Sequence, residues 1–210
     1  MVKPKKQRSN RKSSIKLKPR EKIIKSLIEN KNYQSIMDLS GATIINYKNT
    51  HNIVNQLYPE IITKEKIGNT NLVRINLIPN QEIYNVEDKR TREFLTKNPR
   101  IKLIQKDIEE VGYPFMIVLI FGSYVKNTQT KGSDIDLCII SDNKEIMKRL
   151  NQSLNLLSLK LEIQEFTTKE FISMIEKTQN NLGQEIIKNN IILYGIENYY
   201  NLITKWTKKE

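Results

Sequence analysis

Two residue types that carry much of enzyme chemistry are almost missing from this chain. Among 210 residues there is one cysteine, Cys138, and one histidine, His51. A disulfide framework and a cysteine-based zinc cluster are thereby excluded. A Ser-His-Asp triad or a histidine-rich metal site would have to run through His51 alone. No apolar run approaches the roughly 18 residues that a membrane-spanning helix needs. No apolar stretch follows the basic opening, so a secretory signal is not expected. The sequence reads as soluble and cytoplasmic, with no membrane partner. Acidic residues are scarce at one end: Lys and Arg total 35 against 23 Asp and Glu, a net charge of +12. Residues 1–22 hold ten basic side chains against Glu21 alone, so nine of those twelve charges sit there. Hydrophobic residues make up 38%, enough for a core. The length fits one large domain or two small ones.

The charged opening has no apolar periodicity and reads as a disordered basic arm over residues 1–18, suited to phosphate-backbone contact. Helical patterning begins at Pro19. Ile23, Ile24, Leu27 and Ile28 form one face of a helix over about 20–30. Tyr33, Ile36, Met37 and Leu39 suggest a second short helix, which Ser40-Gly41 is expected to break. A third is expected from Ala42 or Thr43 to Leu57, stopped by Pro59. Two β-branched runs, 61–67 and 71–77, flank Gly68-Asn69-Thr70 and read as a hairpin. Three helices with a tight turn, then a hairpin, resemble the winged helix-turn-helix family over residues 19–78. The resemblance implies that the third helix enters the major groove of DNA, or contacts RNA. Asn46, Tyr47, Lys48, Asn49 and Asn52 would face outward, with His51 beside them. Asn can pair with adenine, and Lys can reach guanine or phosphate.

Residues 79–112 read as a helical connector. Its first helix, Glu82 to Lys97, ends at Asn98-Pro99; Ile101, Ile104, Ile108 and Val111 then mark an apolar stripe.

The remaining segment, 113–210, carries the chemistry. Residues 115–121 are a continuous apolar run, as a strand buried on both faces would be. The run stops at Gly122-Ser123. Asp134-Ile135-Asp136 then opens a second apolar strand through Ile140. Alternation places Asp134 and Asp136 on one face, roughly 6.8 Å apart. Such a pair repels itself and calls for a cation or a shared proton. Mg²⁺, with its preference for hard oxygen ligands and phosphate, fits, and Mn²⁺ could replace it. A Gly-Ser turn offers backbone N–H groups and a hydroxyl to phosphate oxygens. Cys138 and the apolar positions Phe171, Met174 and Ile175 read as core. Tyr199, Tyr200 and Trp206 read as sheet packing rather than base stacking.

The stretch 121–127, followed by Gly132-Ser133-Asp134-Ile135-Asp136-Leu137, resembles the DNA polymerase β-like nucleotidyltransferase superfamily, above all its small minimal members. The resemblance covers about residues 113–200 and implies an α/β (α+β) fold, a short mixed sheet flanked by helices. It implies NTP binding at Gly122, Ser123, Lys126 and Ser133, and metal-dependent catalysis by Asp134, Asp136 and a third carboxylate. Val125-Lys126-Asn127 stands where small members carry Ala-Arg-Gly. The family places the third carboxylate on a later strand. Residues 160–166 are the strand available, with Glu162 the first choice and Glu165, of opposite parity, the second. In the family this group helps hold the metal or takes the acceptor's proton.

Three functions follow. The first is a Mg²⁺-dependent enzyme moving a nucleoside monophosphate from an NTP to an acceptor hydroxyl, with a nucleic-acid-binding front half. The second is a DNA-binding regulator that senses nucleotides without turnover. The third is an antitoxin-type nucleotidyltransferase acting on a small helical, toxin-like partner. A homodimer is expected from the habit of winged-helix regulators.

Overall fold

The computed structural model describes residues 15–177 and 181–207, with the side chains of 205–207 left aside. Most of the basic arm expected over 1–18, and the Trp206 side chain, therefore lie outside the described residues.

The front half opens with α1 (Pro19–Glu29), which has Pro19 in its first turn and the Glu21 carboxylate accepting the Lys18 N–H at 2.9 Å. A two-residue strand β1 (Gln34–Ser35) leads into α2 (Ile36–Thr43), entered through a reciprocal Ser35–Asp38 capping box. Then come α3 (Tyr47–Leu57) and the hairpin β2 (Ile62–Ile67) and β3 (Thr70–Ile75). Gly68 turns the hairpin at φ +59. The three strands pair antiparallel in the order β1-β3-β2.

Two expectations are corrected here. Ser40-Gly41 does not break the second helix: α2 runs through both residues. A single glycine inside a helix costs only about 1 kcal/mol, and the buried face Ile36, Leu39, Thr43 outweighs it. The turn comes later, at Ile44, in the left-handed region with φ +55, where the Ser40 hydroxyl donates to the Ile45 carbonyl at 2.7 Å. Consequently α3 starts at Tyr47 rather than Ala42 or Thr43, and Asn46 is its N-cap.

The segment expected as a connector forms α4 (Gln81–Lys97) and α5 (Ile101–Val111). Neither helix stands free. α4 packs against α1 on one side and the second sheet on the other, while α5 lies under that sheet. The sheet is four-stranded and mixed, in the order β6-β5-β4-β7. β4 (Ile117–Ile120) runs antiparallel to β5 (Ile135–Ile140) and to β7 (Ile191–Tyr194), whereas β5 and β6 (Leu161–Phe166) are parallel. A single turn α6 (Ser123–Lys126) links β4 to β5, and α7 (Lys144–Asn155) makes the crossover to β6. α8 (Thr168–Ile175), α9 (Leu182–Lys188) and α10 (Ile196–Thr207) cover the other face. Every residue of β4 is buried, as its continuous apolar run requires.

The sheet divides the interior into two cores. Met116, Val118, Ile120, Leu137 and Ile139 pack with α5 and α7. Leu119, Cys138, Ile140 and Ile192 face the other way and join the apolar side chains of the front half. Tyr199 and Tyr200 lie in this second core, edge to face at 5.3 Å. Among the described residues no helix is long and apolar enough to cross a membrane.

Candidate active site

The site begins where β4 ends. Gly122 adopts φ +69 and ψ −144, a conformation that a side chain disfavours. There is also no space for one: a Cβ at Gly122 would lie 2.7 Å from Cγ of Asp136. Both constraints select glycine, and together they bring the turn's backbone onto the Asp136 carboxylate. The Ser123 N–H donates to that carboxylate.

Asp134 stands exposed just before β5, and Asp136 is half-buried one pleat further on. Parallel pairing sets Asp136 directly beside Glu162. Paired residues of adjacent strands project to the same face, with backbones about 4.8 Å apart. Glu162 therefore shares the face of the aspartates, and Gln164 donates to it at 3.3 Å. Glu165 pairs with Ile139, on the opposite face, and accepts the Asn151 amide at 3.0 Å.

Burial raises the pKa of Asp136 above the usual carboxylate value, and the charges of Glu162, Asp134 and Glu185 add to the rise. The Ser123 N–H opposes them. Glu185 is the residue that the sequence did not disclose. It lies on α9, distant along the chain from the Asp-x-Asp strand and outside any motif. Its carboxylate takes the Lys126 ammonium at 2.5 Å. Ser133, also expected to bind nucleotide, accepts the Thr130 N–H at 2.8 Å within the loop before β5. Thus the Ser123 amide, Lys126 and Ser133 are all engaged by groups of the protein itself.

Asp134, Asp136 and Glu162 share one face, and their mutual repulsion is what a cation would relieve. They are not drawn into one closed ligand set: among the described residues no three acidic, histidine or cysteine side chains form such a cluster. Asp136 is turned to the Gly122-Ser123 turn and Glu162 to Gln164. An open donor set of this kind would suit Mg²⁺, with Asp134 and Asp136 as protein ligands, Glu162 beside them, and water and phosphate completing the coordination. Cys138 is fully buried, and burial pushes its thiol well above the ordinary value, so it is packing and not a nucleophile.

In the front half, Tyr47, Lys48, Asn49 and Asn52 are exposed on α3. Asn46 is exposed too, but its side chain caps the helix by accepting the Asn49 N–H at 2.9 Å. His51 is half-buried, stacked on Tyr47 at 6.2 Å and hydrogen-bonded to Asn55.

Comparison with known proteins bears on this arrangement. The family described as polymerase beta, nucleotidyltransferase, matches residues 101–199. A protein of Methanocaldococcus jannaschii, named as a candidate protein adenylyltransferase, is 30% identical over 98 residues, covering 44% of this chain and 70% of the relative. The chain belongs to the polymerase beta nucleotidyltransferase family. The family match begins with α5 and ends within α10. It takes in the Gly-Ser turn, the Asp-x-Asp strand and β6. It leaves out the three-helix front half and α4. No solved structure matches the chain significantly.

Proposed function

We propose that this protein transfers a nucleoside monophosphate from an NTP to an acceptor hydroxyl with Mg²⁺, and that the acceptor is a protein side chain, as the relative's name suggests. The observation that carries the reading is the meeting of Gly122-Ser123 with Asp136 and, in register beside it, Glu162. Asp134 and Asp136 would hold the cation, which supplies charge for the phosphates during displacement. Ser123 and Lys126 would take phosphate oxygens, Lys126 by exchanging Glu185 for them, with Ser133 at the edge of the loop. The acceptor oxygen attacks the α-phosphorus and forms the new P–O bond. The α–β bridging bond breaks, pyrophosphate leaves, and Glu162 is placed to receive the hydroxyl proton.

The order of three helices and a hairpin, with β1-β3-β2 pairing, supports reading the front half as a winged helix-turn-helix. Its exposed Tyr47, Lys48, Asn49 and Asn52 suit contact with DNA or RNA, and the basic arm would add phosphate affinity. Regulators of this build commonly act as homodimers, and a small helical protein is one form the acceptor could take.

A second reading, a nucleotide sensor without turnover, is favoured by one observation: the expected nucleotide and metal contacts are satisfied internally, by Asp136 on Ser123 and Glu185 on Lys126. Incubation with each of four α-³²P-labelled NTPs, Mg²⁺ and cell extract separates the two. The transferase labels one protein from ATP, and the Asp134→Ala variant labels none. NTP binding with no label transferred by the wild type would leave the sensor as the reading. Label on nucleic acid would move the acceptor away from protein.

A further inference from the structure

A second polar cleft, of about 390 Å³, lies away from the Asp-x-Asp face, where α1 and α4 meet the loop after α6 and the end of α9. Four cations line it, Lys25, Arg90, Lys97 and Lys188, against two acids, Glu29 and Glu93. Lys25 bridges both acids at 3.0 and 3.4 Å, and Lys97 also holds Glu93, at 2.8 Å. The acids are thus shared out, and Lys188 has no ion pair among the described residues.

Arg90 is the decisive residue. Only 5% of its side chain is exposed. Its guanidinium is fixed by Glu87 on one nitrogen and by the Asn190 carbonyl, at 3.2 Å, on another. Its Nε, buried, has no hydrogen-bond partner, and the nearest carboxylate oxygen, of Glu29, is 3.7 Å away. A buried guanidinium N–H left unpaired is costly. Lys31, half-buried beside this region with its ammonium on the Ile28 and Lys188 carbonyls, has its pKa lowered to about 8, chiefly by burial and then by the Arg90 charge. Positive charge is in surplus here, and one donor is unused.

We infer that this cleft binds a phosphate-bearing anion, with Arg90 Nε and the Lys97 and Lys188 ammonium groups as its donors. An oxyanion with several acceptor oxygens answers a fixed guanidinium N–H and two ammonium groups at once. At roughly 30 Å³ per water the volume equals about a dozen waters, which suits a polyphosphate or nucleotide better than a single small ion. Val125 and Asn127, on either side of Lys126, also line the cleft. Its occupant would therefore touch α1 of the front half and the loop behind the catalytic turn together.

The test is calorimetric titration of the full chain in EDTA, without divalent cations, with inorganic triphosphate and with ATP. The Lys97→Gln/Lys188→Gln double variant, its fold checked by melting, is expected to bind both at least about tenfold more weakly. The Lys102→Gln variant, which removes an exposed cation of α5 outside the cleft, is expected to bind as wild type does. Equal affinity for the two probes assigns recognition to the phosphates alone, and tighter ATP binding adds the nucleoside; either supports the site. Unchanged affinity in the double variant overturns it, as does an equal loss in Lys102→Gln. Because no turnover is measured, this result stands apart from whether the active site is a transferase or a sensor.

Discussion

Asp136 meets two opposing requirements. It must be ionised to hold a cation, yet burial and the charges of Glu162, Asp134 and Glu185 all disfavour the ionised form. Its pKa lies above the usual value, so the folded state binds this proton more readily than the unfolded chain does. Above its raised folded-state value the carboxylate is ionised in both states and its repulsion weakens the fold. Well below the ordinary carboxylate value of about 3.9 it is neutral in both states and the penalty vanishes. Asp136→Asn should therefore abolish transfer while raising the melting temperature in EDTA at pH 7. The gain should be about 2 °C, kept small because the carboxyl is partly in solvent. The gain should shrink as the pH is lowered through the carboxylate range. A variant that melts below wild type at pH 7 would show that the Ser123 N–H bond outweighs the repulsion. At this scale Gly122, Ser123, Asp134 and Asp136 were legible because they lie in two short stretches with fixed spacing. Glu185 was not: its part in the site comes from the packing of α9 beside α6, which no local pattern encodes.

Among the elements, β6 separates two candidates that the sequence left open. Glu162 and Glu165 are three residues apart, so a period-two strand must send them to opposite faces. Which of them shares the face of Asp136 depends on the register with β5, a long-range property, and the pairing puts Glu162 there. Glu162→Gln should slow transfer at least about 10²-fold, the range of a lost proton acceptor. Glu165→Gln, which alters only a bond to Asn151, should leave the rate unchanged. Single-turnover rates with labelled ATP would show it, and equal losses would mean that the face assignment is wrong. The helices show where local reading fails. Ser35 and Asp38 mark the start of α2 by chemistry alone, but Ser40-Gly41 looked like a stop and is not one. The helix continues because Leu39 and Thr43 are buried against its neighbours. Burial of that kind is set by the assembled fold, not by the five residues around the glycine. The start of α3 was misplaced for the same reason, and with it Asn46, now seen to spend its carbonyl on capping.

Across the whole molecule, α4 ties the family domain to the front half. Its Ile83 and Val86 belong to a core that runs from Ile23 and Leu27 of α1 to Ile192 and Tyr200 behind the sheet. Within that core Glu87 takes the Tyr200 hydroxyl at 2.8 Å and pairs with Arg90, while Thr91 donates to the Ile192 carbonyl at 2.8 Å. The sequence offered none of this, since the Glu87–Tyr200 and Thr91–Ile192 pairs each span more than a hundred residues and the polar members of α4 look like solvent-facing positions. A buried carboxylate that loses one donor keeps its desolvation cost. Tyr200→Phe removes only the hydroxyl and should cost about 1–3 kcal/mol. For a chain of this length that lowers the melting temperature by roughly 2–10 °C. Because the core is continuous, the front half and the nucleotidyltransferase domain should shift together in a single transition. Calorimetry of the wild type and of Tyr200→Phe would check both points. If the front half kept its own unmoved transition, α4 would be a spacer, and ligand binding on one side could not be felt through it on the other.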